Sequence, residues 1–239
     1  MINLNITESH KGSDNLFYLQ NSLGEMLSSA SCTINQKAVG GRTVLSIDCP
    51  EYYFDVIKTE IADKLAEIIA VKYKYDYFKS RLKICGLSEE EKEILLVSLI
   101  AADLDEDKRY AYERIKKYDD LALDGVFNFR LQTLKKKWEE IVGYMPDCFF
   151  DTQLKDFLSF LLENKKKRVY VDNGKVFDSY YKRLKRCSLI EYDKIPLIRE
   201  VILSNGGEVE ITGKIPSDDE KYLKRFYGSK IIFSTGYLN

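Results

Sequence analysis

An acid, a glycine, an amide and an arginine fall within eight residues at Leu123-Asp-Gly-Val-Phe-Asn-Phe-Arg130, with two aromatics among them. A carboxylate and a guanidinium can hold charge in a directed way, and an aromatic between them can anchor a partner. No histidine or activated nucleophile accompanies Asp124, so covalent or proton-transfer catalysis is not expected there. A second group is electrostatic. Between Asn164 and Cys187 stand nine Lys or Arg, at 165, 166, 167, 168, 175, 182, 183, 185 and 186, against Asp172 and Asp178. Tyr170, Tyr180 and Tyr181 interleave with them, and that mixture can neutralise phosphates and stack bases. It is equally the composition of a solvated hairpin and connector. Lys165, Lys166, Lys167, Arg168, Lys182, Arg183, Lys185 and Arg186 are the polyanion-binding candidates.

The remaining candidates are weaker. Glu89, Glu90, Glu91 and Glu93 open a helix, where negative charge favours the dipole. Asp103, Asp105, Glu106 and Asp107 lie at a helix junction without EF-hand spacing. His10 stands alone in a polar connector. Gly206-Gly207 and Thr235-Gly236 match no phosphate-loop or dinucleotide fingerprint, and the first pair reads as a helix stop. Neither a metal nor a cofactor is implied by these patterns.

The elements that must position these residues are legible from periodicity. Ile2 to Ile6 alternates as a half-buried strand. Ser13 can cap a helix whose Leu16, Leu19, Leu23 and Leu27 share a face. Strands at 32–38 and 43–49 flank Gly40-Gly41. From Glu51 to Leu82 a single apolar stripe predicts one long helix, with Tyr73 and Tyr77 off the stripe and open to a second neighbour. Further helices are expected at 88–102, with Ser88 and Glu91 as a capping box, and at 105–118, 124–145 and 151–163. In the 124–145 helix Asp124 is the expected cap. Phe127 and Trp138 lie on its apolar face, and Phe129 and Arg130 lie off it. Arg130 can then clamp a neighbouring segment, or Asn128, Phe129 and Arg130 can form a recognition surface.

After residue 163 short strands and helices alternate: a hairpin through Asp172-Asn-Gly174, a strand at 189–192, a helix at 194–204, a strand at 208–212, a helix capped by Ser217 or Asp218, and a strand at 229–234. A small parallel sheet follows. The expected fold class is α+β, in three stretches: an N-terminal β-α-β-β piece (1–50), a helical block (51–163) and a C-terminal α/β unit (164–239). Whether the two sheet-forming ends share one sheet is open at this stage.

The chain has 239 residues and a formal charge of −1, which exerts no global pull on nucleic acid or acidic membranes. No apolar run approaches the ~20 residues of a membrane span. The five cysteines (Cys32, Cys49, Cys85, Cys148, Cys187) are odd in number and form no CxxC pair. With a polar N-terminus, these features lead us to expect a cytoplasmic protein with reduced thiols.

The block Asp124-Gly125-x-x-Asn128-Phe129-Arg130-Leu131 resembles that of the YtxC-like family, sporulation proteins of endospore-forming Firmicutes. Leu87 to Leu96 resembles the segment before that block, Asp151 to Leu162 the helix after it, and Ile195 to Ile211 the family's late helix, turn and strand. Many members close with cysteines around a Thr-Gly pair, whereas Phe233 to Asn239 here contains none. Thiol or metal chemistry is therefore not carried over. The resemblance implies a role in sporulation but no reaction. The leading expectation is a non-catalytic factor acting through a protein partner, the alternative is nucleic-acid binding through 165–186, and the third is an enzyme with a site in the C-terminal α/β unit.

Overall fold

The computed structural model of the chain describes residues 1–9, 13–163 and 165–234, Ser13 by its backbone alone. His10, the Ser13 cap, Asn164 and the Thr235-Gly236 pair lie outside the described residues. The architecture is α+β with two separate four-stranded sheets. The chain divides into two compact units, Met1–Lys74 with Asp105–Ile141, and Tyr75–Leu104 with Val142–Asn239. Both are discontinuous. The expected helical block is shared out between them, because each amphipathic helix must bury its stripe against some other element.

In the first unit, β1 (Ile2–Ser9), β2 (Thr33–Val39), β3 (Arg42–Cys49) and β4 (Asp120–Ala122) lie in the order β2-β3-β1-β4. The alternation of β1 buries Leu4, Ile6 and Glu8 on one face. Helix α1 (Ser13–Ser29) buries Leu16, Leu19, Leu23 and Leu27, as its spacing predicts. β4 pairs in parallel with β1. Three residues carry no readable period, so this strand had no sequence signal.

The expected helix from Glu51 to Leu82 is interrupted. A 3-10 turn (Glu51–Tyr53) leads to α2 (Phe54–Ile68), a π-helical turn (Ile69–Tyr73) and α3 (Lys74–Arg81). The single helix expected at 124–145 is corrected to α6 (Leu123–Arg130) and α7 (Gln132–Tyr144), broken at Leu131, where the chain turns to bury that side chain. α5 (Leu104–Ile115) belongs to this unit from Asp105 on, whereas α3 belongs to the second unit from Tyr75 on.

In the second unit, α4 (Glu89–Ala102) begins with the expected capping box of Ser88 and Glu91. α8 (Asp151–Glu163) precedes a sheet of β5 (Arg168–Asp172), β6 (Lys175–Phe177), β7 (Glu208–Thr212) and β8 (Ile231–Phe233), ordered β6-β5-β7-β8. β5, β7 and β8 are parallel, connected through α9 (Pro196–Leu203) and α10 (Ser217–Tyr227), and β6 is an antiparallel hairpin arm. The strand expected at 189–192 is absent. The Glu200 carboxylate takes the amides of Arg186 (2.9 Å) and Cys187 (2.6 Å), folding the approach into a 3-10 turn.

Two end signals also differ from expectation. Gly206 and Gly207 are needed for close approach rather than as a helix stop. A Cβ on Gly206 would meet Val169 Cγ2 at 2.1 Å, and one on Gly207 would meet the Lys165 carbonyl at 1.8 Å. The left-handed residue after α9 is Asn205, φ 60°. Neither Ser217 nor Asp218 caps α10, whose N-cap is Pro216, while Asp219 Oδ1 accepts from the Ile198 amide in the first turn of α9 (2.8 Å).

Cys85 and Cys148 form a disulfide, which corrects the expectation of five free thiols; Cys32, Cys49 and Cys187 are free. Among the described residues no helix is long and apolar enough to cross a membrane.

Candidate functional site

β4 ends at Ala122 and α6 begins at Leu123, which sets Asp124 in the first turn of that helix. The N-cap is Ala122, and no side chain caps it, so the expected capping role of Asp124 is not what the structure shows. Its carboxylate instead receives both arms of Arg42, from the start of β3: Nη1 donates to Oδ2 at 3.2 Å and Nη2 to Oδ1. This two-point bond fixes direction as well as distance. The Asp124 carboxylate holds the Arg42 guanidinium above its ordinary value.

Arg42 lies opposite Ser9 in the β1–β3 register, and Thr43 lies opposite Glu8. Glu8 is 2% exposed. Its Oε1 accepts from Tyr73 Oη (2.6 Å) and Asn15 Nδ2 (2.8 Å), while Oε2 has no partner among the described residues. Burial pushes the Glu8 carboxyl up to about 7, and the Asp124 charge adds to it, against the opposing pull of its two hydrogen bonds and of Arg42. A carboxyl with a value displaced that far is what an acid–base group requires. Tyr73 and Asn15 close it in.

Tyr73 is the last residue of the π turn, a feature frequent at functional positions. Its ring meets Phe127 of α6 at 4.6 Å, and Phe127 meets Trp138 at 5.8 Å. Trp138 is fully buried, as its spacing predicts, and its Nε1 donates to Asp107 Oδ2 at 2.9 Å. The same oxygen accepts from Lys74 Nζ at 2.7 Å, both side chains being 0% exposed. Lys137 reaches Asp107 Oδ1 at 2.9 Å. The inner side of α6 is thereby pinned by the Arg42–Asp124 ion pair and the Tyr73–Phe127–Trp138 row.

Its outer side is the reverse. Asn128, Phe129 and Arg130 are exposed, Phe129 to 80%. Asn128 Oδ1 accepts from Lys135 Nζ at 3.0 Å. Among the described residues Arg130 bonds no carboxylate, and it lies over the Tyr118 ring at 5.6 Å. The clamp expected of Arg130 is made by Arg42 on Asp124. Gly125 sits in the same helix with Ala122 Cβ at 3.4 Å from where its own Cβ would be, an ordinary contact.

The basic segment is divided by the fold. Arg168 is tied to Glu208 (2.9 Å) and Glu210 (3.4 Å) on β7, and Arg186 Nη1 donates to the Leu203 carbonyl (2.7 Å). Lys166, Lys167, Lys182, Arg183 and Lys185 are exposed, and Lys165 is half-buried. Tyr181 stacks on Tyr170 at 4.5 Å, while Tyr180 is 89% exposed.

A cavity of ≈ 460 Å³ opens between α5 and α7, with Tyr110 and Leu134 among its lining. Its lining mixes Arg109, Arg114 and Lys137 with Glu106, Asp107 and Glu113. Among the described residues no cluster of three or more His, Cys, Asp or Glu is placed to hold a metal ion. Sequence reasoning missed Glu8, Asn15 and Arg42. Tyr73 alone left a trace, as an aromatic off the apolar stripe of its helix. No protein-family model, curated protein or solved structure matches the chain.

Proposed function

We propose that the chain is a non-catalytic factor of the sporulation programme that engages a protein partner through the outer face of α6, Asn128, Phe129 and Arg130. The observation that carries this reading is Phe129, 80% exposed on a helix whose opposite side is held by Arg42 and the Tyr73–Phe127–Trp138 row. An exposed aromatic on a pinned helix loses little conformational freedom on binding, which is how interface anchors gain their energy. The sporulation setting rests on sequence resemblance, carried by the 124–131 block and by the segments 87–96, 151–162 and 195–211. The test is the double variant Phe129→Ala/Arg130→Ala. Stability should stay within about 1 kcal/mol of wild type, since both side chains are exposed. Stoichiometric recovery of a protein partner from sporulating cells, resistant to nuclease and high salt, should be lost. Unchanged recovery by the double variant removes α6 as the interface.

A second reading is favoured by Tyr180 and the exposed Lys166, Lys167, Lys182, Arg183 and Lys185, which suit single-stranded nucleic acid. Reversal of Lys166, Lys167, Lys182 and Arg183 to Glu should then abolish RNA retention with the fold intact, and wild-type affinity should fall steeply with salt. Absence of retention by the wild type even at low salt ends this reading.

A further inference from the structure

The second unit is assembled from two stretches of chain, Tyr75–Leu104 and Val142–Asn239, and the Cys85–Cys148 disulfide is a covalent tie between them. It joins the loop after α3 to the loop before α8, closing 63 residues of sequence. The two loops also pair as a parallel bridge: the Cys85 amide donates to the Asp147 carbonyl (2.9 Å) and the Phe149 amide to the Cys85 carbonyl (2.9 Å). Gly86, φ 89°, lets the Phe149 carbonyl come to 2.8 Å from where a Cβ would stand. Beside the bridge, Leu87 and Phe149 are buried. Both cysteines of the disulfide are themselves exposed.

We propose that this disulfide is a site of reversible thiol–disulfide exchange, with a small or protein dithiol as its co-reactant, whose reduction opens the loop pair locally. A structural disulfide gains from being shielded, whereas an exposed one is open to attack by an external thiolate. In the step, a thiolate of the dithiol attacks one sulfur of the pair. A mixed disulfide forms, and the other cysteine leaves as a thiolate that takes up a proton. The second thiol of the reductant then attacks the mixed disulfide, frees the remaining cysteine and leaves as its own disulfide. Two electrons and two protons pass to the protein.

The other cysteines do not compete. Cys49 is buried, Cys32 and Cys187 are half-buried, and burial raises all three thiols above their ordinary value. The rest of the unit has packing and ion pairs of its own. α4 is buried along Ile94–Ala101, and Glu91 and Glu90 at its start are paired with Arg225 (2.9 Å) and Lys194 (2.8 Å). What reduction leaves at the bridge is two backbone hydrogen bonds beside the buried Leu87 and Phe149 side chains, so the opening is confined to the segments around Cys85 and Cys148.

The test uses the full chain, equilibrated in dithiothreitol buffers of graded reducing strength. Alkylation should report two further thiols on reduction. Over the same range, trypsin cleavage after exposed Lys83 and exchange of the Cys85 and Phe149 amides should speed up by about tenfold or more. Far-ultraviolet circular dichroism and Trp138 emission should stay native. The Cys85→Ser/Cys148→Ser variant should show the fast rates in every buffer. Equal rates in oxidised, reduced and variant protein overturn the proposal. So does global unfolding on reduction, which would make the bond a structural staple. So does failure of the two thiols to re-form the bond when the reductant is withdrawn under mild oxidation.

Discussion

Replacing Asp107 with alanine should lower the stability of the first unit by about 3–5 kcal/mol. Lys74 and Asp107 are both 0% exposed, so their charges have no water to fall back on. Removing the carboxylate takes from the Lys74 ammonium a carboxylate oxygen at 2.7 Å, and from the Trp138 indole an acceptor at 2.9 Å. A loss of that size is a large part of the ~5–15 kcal/mol that holds a typical domain folded. Urea unfolding followed by fluorescence of Trp138, the single tryptophan, reads this unit directly. Native emission should lie at short wavelength, and water-like emission from the folded chain would contradict the burial. A second variant separates the charge from the packing. Lys74→Met with Asp107→Asn removes both charges and keeps an amide oxygen for the indole, and should recover most of the loss. A single Asp107→Ala variant within about 1 kcal/mol of wild type would show that the pair is not desolvated.

The stability of Glu8→Gln relative to wild type should rise by about 2–3 kcal/mol between pH 5 and pH 8. Burial lifts the Glu8 carboxyl from 4.5 to about 7 in the folded protein. Below 4.5 the group is protonated folded and unfolded alike, and no penalty applies. Between 4.5 and 7 the folded protein holds a proton that the unfolded chain has released, so wild-type stability falls as pH rises. Above 7 both states are ionised, and the cost of burying the charge is present in full. Glutamine has no charge to bury and escapes this slope. Its Nε2 stands in place of the unpartnered Oε2, which adds a cost independent of pH. Asp124, Arg42, Tyr73 and Asn15 act on the same carboxyl, so the decisive reading is the change with pH, not the offset at one pH. Parallel stability curves for the two proteins from pH 5 to 8 would refute a displaced Glu8.

Much of the secondary structure was legible in the residues because its causes are local. Alternation placed β1, and leucines at helical spacing placed α1. Ser88 with Glu91 marked the start of α4, and Asp172-Asn-Gly174 supplied the two left-handed residues of the β5–β6 turn, Asn173 and Gly174. Trp138 was placed in the core by spacing alone, since a helical stripe of that kind has to face other elements. The breaks were not legible. Leu131 continues the apolar stripe of Phe127, Leu134 and Trp138, so nothing in the spacing marks the end of α6 there. The π turn at Ile69–Tyr73 likewise costs no change in composition.

The sequence by itself therefore determined most of the element types, the α+β class and the core face of the long helices. Tertiary structure decided everything that depends on residues far apart in the chain. Asp124 was read as a cap because its local neighbours offered nothing better, and Arg42, 82 positions away, takes its carboxylate instead. Glu8, Asn15 and Tyr73 meet only after β1, α1 and the π turn have packed. Arg168 and Arg186 left the basic patch when β7 and α9 came beside them. The cysteine pair was hidden for the same reason: Cys85 and Cys148 lie 63 residues apart, and a bond between them is set by the meeting of two loops. Periodicity records which side of an element is apolar, while long-range pairing is a property of the packed chain that no short window of residues encodes.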